Sequence, residues 1–399
     1  RQGRTDMQKT TWSRTAAALL GLSLLAAACG DDGGDSATET SAAGTATTAG
    51  AAAGGVKCEG IKLGFIGALS GDNGNLGTNM VNGAMVAIND FNAKNPDCQI
   101  ALEKFDSQGD PAQATPLADK IVNDASIVGL IGPGFSGETN ATMDKFEAAG
   151  LPMITPGATN AKLSTNGWKM FHRILANDDK QAPGVVTLIT KTIGGKKVGV
   201  IDDASDYGKG LADAVRKGLG AANTANATID PKAADFSAAV ASMKSAAVDV
   251  VFYSGYYAEA AKMAQQLKDA GVTAKFVSGD GSLDQGFIDN GGTAAEGAYL
   301  TATGAPPDIN PEFAAAFQKA YGTPPALYSP EAYDCAQVFL AAIAAGKVTR
   351  ADIAAFVEAY DAPGITKQIK FDATGEPAGE AVFYTVVEGG KLVSKGLIK

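Results

Sequence analysis

Four loops carry most of the side chains that can grip a small ligand. Gly132-Pro133-Gly134-Phe135-Ser136-Gly137-Glu138-Thr139 sets Ser136 where a predicted strand gives way to a predicted helix. A hydroxyl there either satisfies the free N–H groups of the first turn or, together with them, binds an anion at the positive helix end. Ile154-Thr155-Pro156-Gly157-Ala158-Thr159-Asn160 offers a second hydroxyl, Thr159, after the next strand. Two such loops at one sheet edge can hold one small carboxylate between them. The second half of the chain supplies the opposite chemistry. Tyr253-Ser254-Gly255-Tyr256-Tyr257 and Gly279-Asp280-Gly281-Ser282 each follow a predicted strand. Asp280 reads either as a turn residue between glycines or, facing a cleft, as a carboxylate that accepts from an ammonium. Tyr207, in Asp206-Tyr207-Gly208, also lies beyond a strand end, with an ordinary helix-start aromatic as the alternative.

Other chemistries find less support. The Gly-rich segment from Gly67 to Gly77 joins a strand to a helix but has no Gly-Lys-Ser/Thr and misses the dinucleotide glycine spacing. It reads as a loop lining a crevice at the carboxyl end of a sheet. The single histidine, His172, lies in a strand-like apolar run and reads as structural. No Gly-x-Ser-x-Gly elbow occurs, since Gly134-Phe135-Ser136-Gly137 is off by one. With one histidine and no Cys-x-x-Cys, neither a structural metal nor a cofactor is expected, and catalysis is not.

The elements that must position these loops alternate regularly. Strands are predicted at Ile61–Gly67, Ile100–Phe105, Ile127–Gly132 and Leu151–Thr155, with helices at Asn79–Ala93, Pro111–Asn123 and Gly137–Ala149. The pattern restarts with helix Gln181–Thr192 and strand Lys197–Asp202. Helices Tyr207–Leu219, Phe236–Ser245 and Glu259–Ala270 follow, with strands Asp249–Tyr253 and Ala274–Ser278. Two runs of strand–helix alternation imply an α/β fold of two doubly wound parallel-sheet lobes. Helices Pro311–Tyr321, Pro330–Ala345 and Arg350–Glu358 and strands Lys367–Phe371 and Ala381–Val387 cannot make a third lobe and are expected to return to the first two.

The amino-terminal stretch reads as an address. Lys9 and Arg14 precede a 13-residue apolar run, Ala16 to Ala28, too short for a membrane span. Met7 is a candidate initiator. The end of the run, Leu25-Ala26-Ala27-Ala28-Cys29, resembles the lipobox of bacterial lipoproteins, with Ala26 where leucine is usual. Residues 1–28 are therefore expected to be a lipoprotein signal peptide, Cys29 the acylated residue, and 29–55 a disordered Gly/Ala/Thr/Ser tether. An ordinary secretory signal is the alternative. Losing Arg1, Arg4, Lys9, Arg14 and Asp6 from totals of 33 basic and 43 acidic side chains leaves 29 and 42. An acidic chain of this kind has no footprint for nucleic acid or for a polybasic membrane contact. Cys58 and Cys98 each precede a predicted strand, close enough for a disulfide if those strands are parallel neighbours. Cys335 is expected to be a buried thiol.

From about residue 60 to 399 the chain resembles the periplasmic solute-binding proteins of branched-chain amino acid ABC importers. The markers are Gly67-Ala68-Leu69-Ser70-Gly71, Phe105-Asp106 with Asp110-Pro111, Ile154-Thr155-Pro156, Asp178 with Gln181, Asp206-Tyr207-Gly208 and Tyr253 to Tyr256. The resemblance implies that Ser136, Thr159 and a backbone group of Gly157 bind a ligand α-carboxylate. Asp280, in place of the usual Glu, and Tyr256 would hold the α-amino side. The side-chain pocket diverges: Leu76 stands where the family has Tyr or Trp, Phe135 where it has a small residue, and Tyr328 where it has an aromatic. The expected organisation is lobe 1 over 56–177 with 304–368 and lobe 2 over 178–303 with 369–399, joined by a three-crossing hinge near 176–179, 303–306 and 366–371. The expected function is capture of an α-amino acid, branched-chain or otherwise apolar, by hinge closure, and delivery by a lipid-anchored, extracytoplasmic monomer to a membrane permease. A sensor on the same fold, or a binder of an amide or other small polar solute, is the alternative.

Overall fold

A computed structural model describes residues 58–379 and 381–398; the expected signal peptide, the acylation site Cys29 and the whole expected tether 29–55 lie outside them. The first half runs β1 (Lys62–Gly67), α1 (Gly74–Lys94), β2 (Leu102–Asp106), α2 (Pro111–Asn123), β3 (Ile127–Ile131), α3 (Ser136–Ala148), β4 (Met153–Thr155) and β5 (Phe171–Arg173). The second runs α4 (Asp178–Thr187), β6 (Val198–Asp202), α5 (Asp206–Leu219), β7 (Asn223–Thr228), α6 (Ser237–Ser245), β8 (Val250–Ser254), α7 (Tyr257–Asp269), β9 (Lys275–Ser278), α8 (Gln285–Gly291) and β10 (Tyr299–Ala302). After these come α9 (Pro311–Tyr321), α10 (Ser329–Ala344), α11 (Arg350–Glu358), β11 (Asp361–Pro363), β12 (Gln368–Lys370), β13 (Phe383–Glu388) and β14 (Lys391–Leu397).

Local chemistry explains several boundaries. Asp110 accepts from Ala112 N–H at 2.8 Å and Pro111 opens α2 with a φ already suited to a helix. Ser205 caps α5 through Gly208 N–H at 2.9 Å, and Asn310 caps α9 through Phe313 N–H at 2.9 Å. The expected helix Gln181–Thr192 begins three residues earlier, at Asp178, and ends in a π-helical turn over Leu188–Ile193.

Two sheets result. One is ordered β2-β1-β3-β4-β5 and all parallel. The other is ordered β14-β13-β10-β9-β8-β6-β7. Its β7-β6-β8-β9-β10 part is parallel and repeats the order of the first sheet; β13 and β14 add antiparallel strands at one edge. The fold is thus the doubly wound α/β class. Leu63 and Phe65 of β1 pack with Ala84 and Phe339 on one face, while Ile66 packs with Ala114, Ile121 and Phe146 on the other. Gly129 of β3 lies under the Phe339 ring, where a Cβ would approach Cδ1 to 2.7 Å. Helices α9 to α11 lie with α1 and β3 on the first sheet, forming one lobe; α4 to α8 flank the second. The chain passes between the two lobes after β5, after β10 and after β12.

Cys58 and Cys98 are joined as a disulfide with Cα atoms 5.1 Å apart, because β1 and β2 are adjacent and parallel. Cys335 is a buried free thiol. Among the described residues no helix is long and apolar enough to cross a membrane.

Candidate functional site

In each sheet the first strand has its successors on opposite sides, so the loops at the carboxyl ends diverge and leave a crevice. The first lobe presents the β3–α3 and β4–β5 loops there. Ser136 is the first residue of α3 and not its cap, correcting the cap reading. Phe135 takes the cap position and has no acceptor; Glu138 supplies the cap instead, accepting from Phe135 N–H at 3.0 Å while Ser107 Oγ donates to its other oxygen. Ser136 Oγ is used to join the loops, accepting from Asn160 N–H at 3.1 Å. Thr155 Oγ1 donates to Pro133 O at 2.7 Å and accepts from Ala158 N–H at 3.0 Å and Gly157 N–H at 3.3 Å.

Arg173, at the end of β5, is fully buried and pins this loop from beneath. Its guanidinium donates to Ala158 O at 2.9 Å and Asn160 O at 3.1 Å and pairs with Glu376 at 2.8 Å. The residue between those two carbonyls is Thr159, whose Oγ1 is buried without a hydrogen-bond partner. Asp178, whose N–H donates to Thr159 O at 2.9 Å, is fully buried with both carboxylate oxygens unpartnered. Burial holds the Asp178 carboxyl well above the usual carboxylate range; the Asp280 charge adds to this, and the neighbouring Thr159 hydroxyl, which is outside hydrogen-bond geometry, and the Arg173 charge oppose it.

The second lobe presents Asp280 after β9. Tyr207 OH donates to its Oδ1 at 2.8 Å, and Tyr328 OH, from the first lobe, donates to its Oδ2 at 2.5 Å. Burial raises the Asp280 carboxyl, while the two tyrosine hydroxyls and the Gln181 amide lower it. Gln181 Nε2 donates to Thr301 Oγ1 at 3.1 Å, and its Oε1 has no partner. Tyr328 sits at φ 70°, a left-handed conformation that costs a bulky residue free energy, so its ring is held in place by its surroundings. Tyr256 packs against Phe135 of the other lobe at 4.5 Å between ring centroids and against Tyr207 at 5.3 Å. Leu76 is fully buried in the first turn of α1, in the same apolar cluster as Phe135 and Tyr328.

The lobes also meet through a set of asparagines on the first that donate to four carboxylate oxygens and one backbone carbonyl of the second. Asn75 Nδ2 donates to Asp284 Oδ1 at 2.9 Å, Asn79 to Asp284 Oδ2 at 3.3 Å and Asn73 to Glu259 Oε2 at 3.3 Å. Asn140 donates to Asp206 Oδ2 at 3.0 Å, and Asn160 Nδ2 to Asp206 O. These contacts close two sides of the junction.

The structure therefore gathers Ser136, Gly157 and Thr159 on one wall and Tyr207, Tyr256 and Asp280 on the other, with Phe135 and Tyr328 crossing between them. Sequence reasoning missed Arg173 as the support of the Thr159 loop and the asparagine set, and gave Asp178 and Gln181 only as markers of the resemblance. Asp178 follows β5, a strand not among those predicted, so the cue that singled out Asp280 was lacking there. His172 is buried with burial pushing it down to about 4, so it is neutral at pH 7. Among the described residues no three His, Cys, Asp or Glu side chains gather as a metal site.

Comparisons with known proteins point the same way. The family described as periplasmic binding protein matches residues 60–391. The leucine-specific-binding protein of Salmonella typhimurium is 35% identical over 253 residues, covering 62% of this chain and 68% of that one. The Leu/Ile/Val-binding protein of Rhizobium johnstonii is 31% identical over 343 residues, covering 84% and 93%. The crystal structure of a branched-chain amino acid transporter substrate-binding protein from Streptococcus pneumoniae, in complex with isoleucine, superposes with a TM-score of 0.78 at 26% identity, covering 85% of this chain and 99% of that one. Matched through both lobes in sequence and in fold, this chain belongs to the periplasmic binding protein family.

Proposed function

We propose that this chain is the substrate-binding component of an ABC importer, capturing an α-amino acid with a branched or otherwise apolar side chain between its lobes and handing it to a membrane permease. The observation that carries this reading is the group of unspent acceptors near Asp280. Both oxygens of Asp178 and Oε1 of Gln181 are buried without partners. A buried acceptor without a donor is costly, and two acids in one site ask for a cation. An ammonium supplies one charge and three donors. The carboxylate of the same ligand falls to Ser136, Thr159 and the Gly157 backbone, at the start of α3 where the helix dipole favours an anion. Tyr256 and Tyr207 flank the ammonium; Leu76, Phe135 and Tyr328 shape the side-chain pocket. Because the grips belong to different lobes, the ligand makes all its contacts only with the lobes together, which couples binding to closure.

Calorimetry with leucine, isoleucine and valine beside leucinamide and 4-methylpentanoate tests the reading. An amino acid should bind, and the two analogues, each lacking one charge, should bind roughly 100-fold more weakly or not at all. Binding of the amide or of a sugar, with none of any α-amino acid, would refute it. The reading assigns binding without catalysis, to a monomer.

The family works outside the cytoplasm. Cys29, at the end of its apolar run, supports an acylated anchor there, since two or three acyl chains suffice for stable attachment. A Cys29→Ala chain should bind its ligand normally and leave the membrane fraction; retention in that fraction would refute the anchor.

A further inference from the structure

Away from the cleft, the crossings between the lobes wall a second cavity of about 550 Å³. Ile174 comes from the first crossing, Thr303 to Pro306 from the second and Thr366 to Gln368 from the third, with Phe383 and Leu397 of the second lobe closing the wall. None of the cleft residues Thr159, Tyr207, Tyr256 or Asp280 lines it. Its lining is largely apolar. Two large apolar side chains stand exposed among the described residues, Ile309 at 45% and Leu397 at 59%, and both are on this rim. Apolar surface left open beside a concave site of this volume is characteristic of ligand pockets.

Two charged side chains interrupt the apolar wall. Glu331, on α10, is 1% exposed. Its Oε1 accepts from Ala305 N–H at 2.6 Å, and its Oε2 has no hydrogen-bond partner. Burial lowers Lys367, on the third crossing, and the Glu331 charge opposes this, yet the two make no ion pair within 4.0 Å. Asp334, the next acid, is already engaged by Ile365 N–H and by Thr366, and Glu376 is paired with Arg173. An acceptor and a donor of opposite charge thus face the same cavity without meeting each other.

We propose that this cavity is a second small-molecule site, taking an uncharged molecule with an apolar body and a single head that both donates and accepts, a primary carboxamide or a hydroxyl. The head donates to Glu331 Oε2 and accepts from Lys367, while the body lies against Ile174, Ile309, Phe383 and Leu397. A charged head matches one of the two side chains and opposes the other. Because the walls come from every crossing, the occupant touches both lobes at the place where their angle is set.

Hexanamide is the probe, with hexanoate and hexylamine as charged counterparts of the same body. Amide chemical shifts are followed in the full chain saturated with leucine, which keeps the cleft out of the titration. The expected result is saturable change at Gly304, Ala305 and Thr366 with hexanamide and much weaker change with either ion. Glu331→Gln keeps the acceptor used by Ala305 and removes the other; it and Lys367→Met should each weaken hexanamide about tenfold. Leu397→Ser, at an exposed rim position that leaves the core intact, should weaken it as well and guards against a variant that fails to fold. A linear, unsaturable response, an equal response to hexanoate or hexylamine, or wild-type affinity in folded Glu331→Gln and Leu397→Ser would overturn the assignment.

Discussion

Asp178→Asn should make the ligand-free protein more stable and its ligand binding weaker. The residue is fully buried, its oxygens have no hydrogen-bond partners, and its carboxyl is held well above the usual range by burial first and by Asp280 second. A carboxyl whose folded value lies above its unfolded value binds a proton in the native state that the unfolded chain has released. Its contribution to stability therefore falls as pH rises from the unfolded range of about 4 toward the folded value. Asparagine keeps the shape and has no charge to bury, so urea midpoints without ligand should rise at pH 8, and rise less at pH 5. Binding moves the other way. A hydrogen bond to a charged group contributes about 1.5–3 kcal/mol, so losing the Asp178 charge and one of its two acceptor oxygens should weaken the amino acid roughly 10- to 150-fold by calorimetry. The pair of opposite signs is the diagnostic. If Asp178 served mainly as a partner for Arg173, asparagine would destabilise the free protein, since breaking a buried pair strands the remaining charge. Arg173 has Glu376 and the carbonyls of Ala158 and Asn160 to itself, which argues against that role. Lower free stability, or affinity within about twofold of wild type, would refute the reasoning.

Other parts of the structure give independent tests. Burial raises Glu138 to about 7, so its stabilising contribution is fully present at low pH and lost as pH rises from about 4.5 through 7. Glu138→Gln, which can accept from Phe135 N–H and donate to Ser107, should match wild type in urea at pH 5 and exceed it at pH 8; equal midpoints at both would refute the shift. Asn75→Ala with Asn79→Ala removes both amide donors to Asp284 across the lobe junction. That double variant should bind the amino acid about tenfold more weakly and give a larger radius of gyration by X-ray scattering, and unchanged affinity would remove these residues from closure. Cys98→Ser opens a link spanning a sequence separation of 40 and should cost about 4 kcal/mol of unfolding free energy in the chain-entropy account. Ligand affinity should stay within about twofold of wild type, because the link lies at the opposite strand ends from the cleft.

The parts of the fold that were legible are those in which one residue type does one job. Helices α2, α9 and α11 begin and end where read, because Asp110-Pro111, Asn310-Pro311 and Thr349 are unambiguous helix starts. Strands β1, β3, β6 and β8 are short apolar runs buried on both faces, and parallel burial leaves such runs visible. Strand β7, Asn-Thr-Ala-Asn-Ala-Thr, was not read at all: it is an edge strand with mostly open faces, and its pairing to β6 holds it in the sheet rather than any apolar pattern. Strand β14 is mostly exposed and escaped for the same reason. The short helix α8 follows Asp280 so closely that the glycines there read only as a turn, and the four-residue strand β10 was not read.

The site divides along a related line. Hydroxyls and acids in Gly-rich loops after strands stand out, because chain punctuation marks the sheet edge and the residue type names the chemistry. Ser136, Thr159, Tyr207, Tyr256 and Asp280 stand out in this way, partly with the help of family resemblance. What position alone does not reveal is which polar atom is already spent. Asp280 is the more conspicuous acid, yet Tyr207 and Tyr328 each occupy one of its oxygens, and Tyr328 arrives from about 50 residues further along the chain and from the other lobe. Asp178 carries the unspent oxygens, and they are unspent because Arg173, the cation nearest at hand, is committed to two carbonyls and to Glu376. The ammonium is thus expected to lean on Asp178 at least as heavily as on Asp280. Calorimetry on Asp280→Asn beside Asp178→Asn decides this directly: a larger loss for Asp280→Asn would mean that the tyrosine hydroxyls turn away to let the ligand in, and that Tyr328, in its strained backbone conformation, is the part that moves.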